Sequence, residues 1–144
     1  MRIRPFQPGD QQGVIELWKR CGLVVPWNDP ARDIERKLRA GADLFLVGER
    51  KGRLTASAMG GYEGHRGWVN YLAVDPEYRG RGDAREIMQV LESRLLELGC
   101  PKINLQVRET NVDVIRVYEA LGYKRDPVVS LGKRLIEDLS LIHI

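Results

Sequence analysis

Trp68-Val69-Asn70-Tyr71-Leu72-Ala73-Val74-Asp75-Pro76-Glu77-Tyr78-Arg79-Gly80-Arg81-Gly82-Asp83-Ala84 carries a strand, a stop and a glycine-arginine loop in one run. Residues 68–74 are rich in aromatic, aliphatic and β-branched side chains and read as a strand. Asp75-Pro76 ends it, because proline has no N–H to continue a ladder. Gly80 and Gly82 then permit a sharp turn and close approach of a ligand to the backbone. Beyond the loop, Ala84, Ile87, Met88, Leu91, Leu95 and Leu98 keep one apolar face along the longest helix, which Gly99 stops. The first amides of that helix have no intrahelical acceptor and lie at the positive end of its dipole. With Arg79 and Arg81 beside them they suit a phosphate or pyrophosphate; a solvated arginine turn is the alternative local reading. Two better-known phosphate loops are excluded. No Gly-x-x-x-x-Gly-Lys-Ser/Thr run occurs, and Arg85 stands where the dinucleotide fingerprint needs its third glycine.

Upstream, residues 2–6 read as a strand and Pro8-Gly9-Asp10 as a turn with Asp10 as a helix cap. Val14, Leu17, Trp18 and Cys21 follow at helical spacing. Asp29-Pro30 predicts the cap and first residue of a second helix with a thin stripe, Ile34 and Leu38, ending at Gly41. This surface helix leaves one face to line a cleft. Residues 44–47 read as a buried strand, 50–53 as a hairpin turn, and 54–61 as a long strand. Residues 60–67 form a glycine-rich connection. Downstream, residues 102–107 alternate as a strand. Asn111 predicts the cap of a helix through Leu121, with Val114, Ile115, Tyr118 and Leu121 as its stripe. Residues 127–131 read as a last strand. The order β-α-α-β-β-β-α-β-α-β predicts one α/β domain with a mixed sheet over residues 1–138, followed by a short apolar tail, 139–144.

A chain of 144 residues is long enough for one real core. Its 23 basic and 20 acidic residues leave a formal charge of only +3, and the signs alternate along the chain. That pattern is a mixed solvated surface and not the one-sided basic stripe of a nucleic-acid binder. Cys21 and Cys100 form no C-x-x-C pair, and the two histidines give no metal-ligand cluster, so neither a metal nor a disulfide is expected. No targeting signal precedes the first strand, and no apolar run reaches the ~18 residues of a membrane span. A reducing, cytoplasmic setting is the expectation.

The run from Leu72 to Ala84 resembles the acetyl-CoA signature of the GNAT superfamily, Arg/Gln-x-x-Gly-x-Gly/Ala after a strand. Asn111-x6-Tyr118-Glu119-x2-Gly122-Tyr123 resembles its second signature. The two motifs stand in order, about thirty residues apart. The resemblance implies a single GNAT-like domain with a mostly antiparallel mixed sheet flanked by about four helices. It also implies transfer of acetyl from acetyl-CoA to a primary amine of a small molecule or protein. Main-chain groups of Leu72, Ala73 and Val74 would pair with the pantetheine arm. Backbone amides of Arg79, Gly80, Arg81, Gly82, Asp83 and Ala84 would hold the pyrophosphate. Asn111 would touch the cofactor, and Tyr118 would lie by its sulfur. Dimers are common among such proteins, so a homodimer is an expected partner alongside acetyl-CoA and the amine.

Acetyl transfer needs a neutral amine, a polarised thioester carbonyl and a proton for the departing thiolate. A lysine-like amine costs roughly 4.6 kcal/mol to deprotonate at pH 7, and an α-amine about 1–1.4 kcal/mol. Tyr118 is the candidate general acid; it also lies on its helix's apolar stripe, so its ring can pack while its hydroxyl faces a cleft. Many family members carry a glutamate at the position of Asn70 or of Gln106, and here both are neutral amides. Glu63 is the candidate base and His65 the alternative, either acting through water, although both also suit the turn they occupy. Glu109, just before Asn111, is open to the same two readings. Asp83 replaces the family's aliphatic residue and would oppose a pyrophosphate if it faced one, so Asp83→Ile is expected to tighten acetyl-CoA binding. Trp27, Asn28, Arg32 and Arg36 are expected to line the acceptor pocket and to favour an acidic or carboxylate-bearing acceptor. The neutral residues at 70 and 106 keep a second function open, an acetyl-CoA sensor without transfer. A third, an adaptor using Arg79, Arg81 and Arg85, predicts salt-sensitive polynucleotide binding.

Overall fold

The computed structural model describes residues 1–138; the apolar tail expected at 139–144 lies outside the described residues. The chain runs β1 (Arg2–Pro5), α1 (Gln11–Arg20), α2 (Pro30–Ala40), β2 (Phe45–Arg50), β3 (Arg53–Tyr62), β4 (Gly67–Val74), α3 (Asp83–Glu97), β5 (Ile103–Leu105) and α4 (Val112–Ala120). Five strands form one sheet in sequence order. The first three pairings are antiparallel and β4–β5 is parallel. This is the mixed, mostly antiparallel sheet that was expected, with four helices on its faces.

Local chemistry explains most of these elements. Asp29 accepts from the amides of Ala31 (3.0 Å) and Arg32 (3.3 Å), and Pro30 follows at the first helical position. Between β2 and β3, Lys51 (φ 54°) and Gly52 (φ 74°) both take left-handed conformations, the two-residue turn whose twist matches paired strands. Strand alternation divides the core in two. Leu46, Ala56, Ala58 and Val69 face Ile87, Met88, Leu91 and Leu95 of α3. Phe45, Val47, Met59 and Ala73 face Val14, Leu17 and Trp18 of α1 and Ile34 of α2. Gly60 brings α3 close to the sheet, since a Cβ there would press on Leu91 and stand 3.0 Å from the Leu44 carbonyl.

The decisive irregularity lies in β4. Met59 pairs with Asn70, but Ser57 pairs with Ala73, so the register shifts between them, and Tyr71 has a φ of 51°. A bulge of this kind puts Asn70 and Tyr71 on the same face, that of α1 and α2. Trp18 supports it: its ring stacks on Tyr71 at 3.7 Å, and its Nε1–H donates to Ser57 Oγ at 2.9 Å. The Ser57 hydroxyl donates in turn to the Tyr71 carbonyl at 2.7 Å, and the Tyr71 hydroxyl donates to Asp33 of α2 at 2.5 Å. Meanwhile β5 pairs only with Gly67, Trp68 and Val69. From the bulge to Val74, β4 has no ladder pairing to β5, which leaves an unpaired slot along this edge of the strand.

Several expected details differ. Asp10 does not cap α1; its carboxylate accepts from Arg4 at 2.7 and 2.9 Å and from the Gln7 amide at 2.8 Å. Gly60, Gly61 and Tyr62 belong to β3, which shortens the connection to a turn around Glu63 and Gly64. Asn111 makes no side-chain cap to α4. Residues 127–131 are not a strand, although Lys102 pairs with Asp126 and Gln106 bonds Ser130 beside β5. Pro127 has no amide to give, and the Val128 amide bonds back to Asp126 at 2.9 Å, so no ladder can start there. Among the described residues, no helix is long and apolar enough to cross a membrane.

Candidate active site

The slot opens toward the glycine-arginine loop. Asp75 closes β4 by accepting from the Glu77 amide at 3.0 Å, and its buried carboxylate is held by Arg20 at 3.0 Å and Arg53 at 3.2 Å. Arg79 folds back to donate to the Val74 carbonyl at 3.1 Å. Gly80 (φ 79°) and Gly82 (φ 83°) then take conformations that other residues rarely adopt. The first amide of α3 to bond back is that of Glu86, to Gly82 at 3.0 Å. The preceding amides of the loop and first turn make no backbone hydrogen bond among the described residues, and they meet the positive end of a fifteen-residue helix. Such an arrangement is chemically able to receive an anion.

Asp83 does not oppose an anion there. Its carboxylate is 2% exposed and accepts from Arg50 of β2 at 2.8 and 3.3 Å. Arg50 and Arg81 also lie over the Tyr78 ring, at 5.4 and 5.2 Å from its centre. The acid therefore ties the start of α3 to β2, with its charge already matched. This reverses the expectation for Asp83→Ile, which removes the tie and strands a guanidinium under the loop. The variant is expected to melt lower and to bind acetyl-CoA more weakly. Thermal denaturation of that variant, of Arg50→Met and of the double variant checks this, with the double falling less than the two singles summed.

Tyr118 on α4 is 8% exposed, with its ring edge-on to Tyr123 at 5.7 Å. Its hydroxyl has no hydrogen-bond partner among the described residues, and burial pushes its pKa up to about 12. It is a protonated phenol throughout the physiological range. Tyr123 donates to Glu92 of α3 at 2.6 Å, and Arg85 donates to the Ala120 carbonyl at 3.1 Å, so α3 and α4 are tied together. The Asn111 side chain is exposed at the start of α4 and is not used as a cap.

The expected acceptor residues are largely engaged with one another. Trp27 lies under the Arg108 guanidinium at 4.4 Å, and Asn28 accepts from Arg134 at 3.1 Å. Arg32 pairs with Asp29 at 3.7 Å, while Arg36 pairs with Asp33 at 3.5 Å and with Asp138. Asp138 is 1% exposed, and the Arg36 hydrogen bond holds its pKa down at about 2. Arg32 and Arg36 are thus neutralised, which removes the basis for reading an acidic acceptor from them. Glu63 is also displaced from its expected role as base. It sits past the Tyr62–Gly67 pair, at the far end of β4 from the loop. Its carboxylate accepts from the Arg66 and His65 amides, which hold it below the usual carboxylate range. Asn70 is exposed on the α1–α2 face, and Gln106 donates to Ser130 at 2.5 Å. Among the described residues no three His, Cys, Asp or Glu side chains gather as a metal site.

The sequence-based reading missed Trp18 and Tyr71 as supports of the bulge, and Arg50 and Asp138 as ion-pair partners. Arg50 lies 33 residues from Asp83, and Asp138 lies 102 from Arg36, where no local spacing can find them.

The acetyltransferase (GNAT) family model matches residues 11–123. An acetyltransferase of Pectobacterium atrosepticum is 54% identical over 96% of this chain and 98% of its own length. One from Sodalis glossinidius is 56% identical over 96% and 98%. Among solved structures, AAC(6')-Iy in complex with the bisubstrate analog CoA-S-monomethyl-acetylneamine superposes with a TM-score of 0.73. It is 20% identical, over 92% of this chain and 97% of that one. A family model over most of the chain and two relatives above 50% identity agree, and the chain belongs to the acetyltransferase (GNAT) family.

Proposed function

We propose that this protein transfers the acetyl group of acetyl-CoA to a primary amine of a small molecule or protein. The observation that carries the reading is the coincidence of two backbone surfaces without ladder or helix partners. The β4 edge beyond Val69 has no pairing to β5, with the Val74 carbonyl covered by Arg79, and the loop amides before Glu86 lack backbone acceptors among the described residues, at the same end of the sheet. A pantetheine arm can pair with Leu72, Ala73 and Val74 as an added strand does, leaving its pyrophosphate at residues 79–84. Asn111 has a side chain free to touch the cofactor at the start of α4.

Acetyl-CoA supplies an activated thioester carbonyl. The acceptor nitrogen forms the new C–N bond as the C–S bond breaks. Tyr118 donates its proton toward the departing sulfur and regains one from solvent. The amine's proton passes to water, since Asn70 and Gln106 cannot accept it as carboxylates would. That favours an acceptor whose neutral form is cheap to reach near pH 7–8, as that of an α-amine is compared with a lysine-like amine.

The stretches Pro26–Pro30, Asp33–Lys37, Gly60–Gly67 and Ser130–Asp138 resemble the bacterial acetyltransferase YpeA, a likeness that names a subgroup more than a substrate. Acetyl-CoA use and two unpaired cysteines fit action in the cytoplasm. Exposed Val128, Val129 and Leu131 beside β5 offer a surface for a homodimer. The neutral amides at 70 and 106 favour a second reading, an acetyl-CoA sensor. CoA release measured across a panel of amines separates the two. Release with any amine supports transfer, whereas tight acetyl-CoA binding with no release from any of them supports the sensor.

A further inference from the structure

Arg32, Arg36 and Arg39 of α2 each pair with a carboxylate. Lys37 is half-buried and has no carboxylate partner among the described residues, and burial pushes its amine down. Its Nζ lies over Gly61 of β3, where a Cβ would stand 3.1 Å away. The two adjacent glycines thus serve opposite faces, Gly60 admitting Leu91 and Gly61 admitting the lysine ammonium.

Register then aligns three groups across the sheet. Gly61 pairs with Trp68, and Trp68 pairs with Asn104. Val69, Ile103 and Leu105 pack toward α3, so Trp68 and Asn104 point to the other face, where α2 lies. Trp68 is 37% exposed there. The Asn104 Oδ1 is buried and has no hydrogen-bond partner among the described residues. A half-buried cation, an open indole and an orphaned amide oxygen therefore stand in one row, spanning two strand spacings or roughly 10 Å. The row lies one step from Asn70, where the slot begins. An unpaired cation and an unsatisfied acceptor are both costly until a ligand meets them.

We propose that Lys37, Trp68 and Asn104 seat an amine acceptor that carries a carboxylate, such as an amino acid or short peptide. The Lys37 ammonium binds the carboxylate, the indole carries the ligand's body, and Asn104 Oδ1 accepts from a ligand N–H. The row adds a substrate class to the acetyl-transfer reading and rests on that reading only for the acceptor's amine.

The test reads binding apart from turnover. In the CoA-saturated protein, the Trp68 indole N–H resonance, assigned through Trp68→Phe, is followed as L-phenylalanine, glycylglycine and their carboxamides are added. The acids are expected to shift it with at least about 10-fold higher affinity than the amides. Lys37→Met should erase that difference and Lys37→Arg should keep most of it. Equal binding of acid and amide, no binding of either, or an unchanged preference in Lys37→Met overturns the proposal. CoA release is measured separately on the same compounds. Carboxylate-selective binding without release leaves the seat standing and overturns acetyl transfer to these amines; equal release from acids and amides, with equal binding, does the reverse.

Discussion

Tyr118→Phe is expected to lower kcat by about 100-fold or more while acetyl-CoA affinity stays within about twofold. The substitution removes one oxygen and leaves the ring edge-on to Tyr123 and packed in the α3 core. The hydroxyl contributes nothing to that packing, because it bonds to no group among the described residues. What is lost is a phenol proton donor whose pKa burial pushes up to about 12. The same shift fixes the pH dependence. Tyr118 stays protonated through neutral and mildly alkaline pH, so any rise in rate there belongs to the amine losing its proton. Steady-state kinetics with calorimetric binding of acetyl-CoA checks both halves. Full turnover in the variant would remove Tyr118 from the mechanism.

Trp18→Ala is expected to be the most damaging single change to the fold, costing about 3–5 kcal/mol. That corresponds to a melting point lower by roughly 10–20 °C. Trp18 is fully buried, and it both stacks on Tyr71 and starts the hydrogen-bond chain through Ser57 to the Tyr71 carbonyl. Removing it opens a cavity under the bulge and leaves Ser57 without its donor. Trp18→Phe keeps a ring against Tyr71 but loses the indole N–H, and should cost only about 1–2 kcal/mol. Urea denaturation gives both values. Acetyl-CoA affinity should fall in the same order, because the bulge sets where β4 leaves β5. A variant that melts lower yet binds as wild type would separate the bulge from the slot.

The turn and helix start at Gly80–Asp83 were legible in the sequence and the α2 face was not, for a physical reason. Gly80, Gly82 and the start of α3 act through their own backbone, so residue type and spacing suffice. Asp29-Pro30 and Lys51-Gly52 are equally local and formed as expected. Asn111 and Asp10 have capping chemistry, but tertiary partners or local geometry took them elsewhere. The left-handed Tyr71 could not be foreseen, since it exists through Trp18, Ser57 and Asp33 on three other elements. Charge on the acceptor face was misread for the same reason. Arg36 looks available until the chain returns with Asp138, and Lys37 looks like a surface lysine until Gly61 gives its ammonium a place against the sheet.

The central claim is that acetyl-CoA is held by main-chain groups on β4 and in the loop before α3. Amide hydrogen exchange, followed with and without acetyl-CoA, tests it directly. Protection is expected at the backbone amides of residues 72–74 and 79–85, with little change at the Glu63 turn. No added protection in either segment, or protection gathered elsewhere, would contradict the claim.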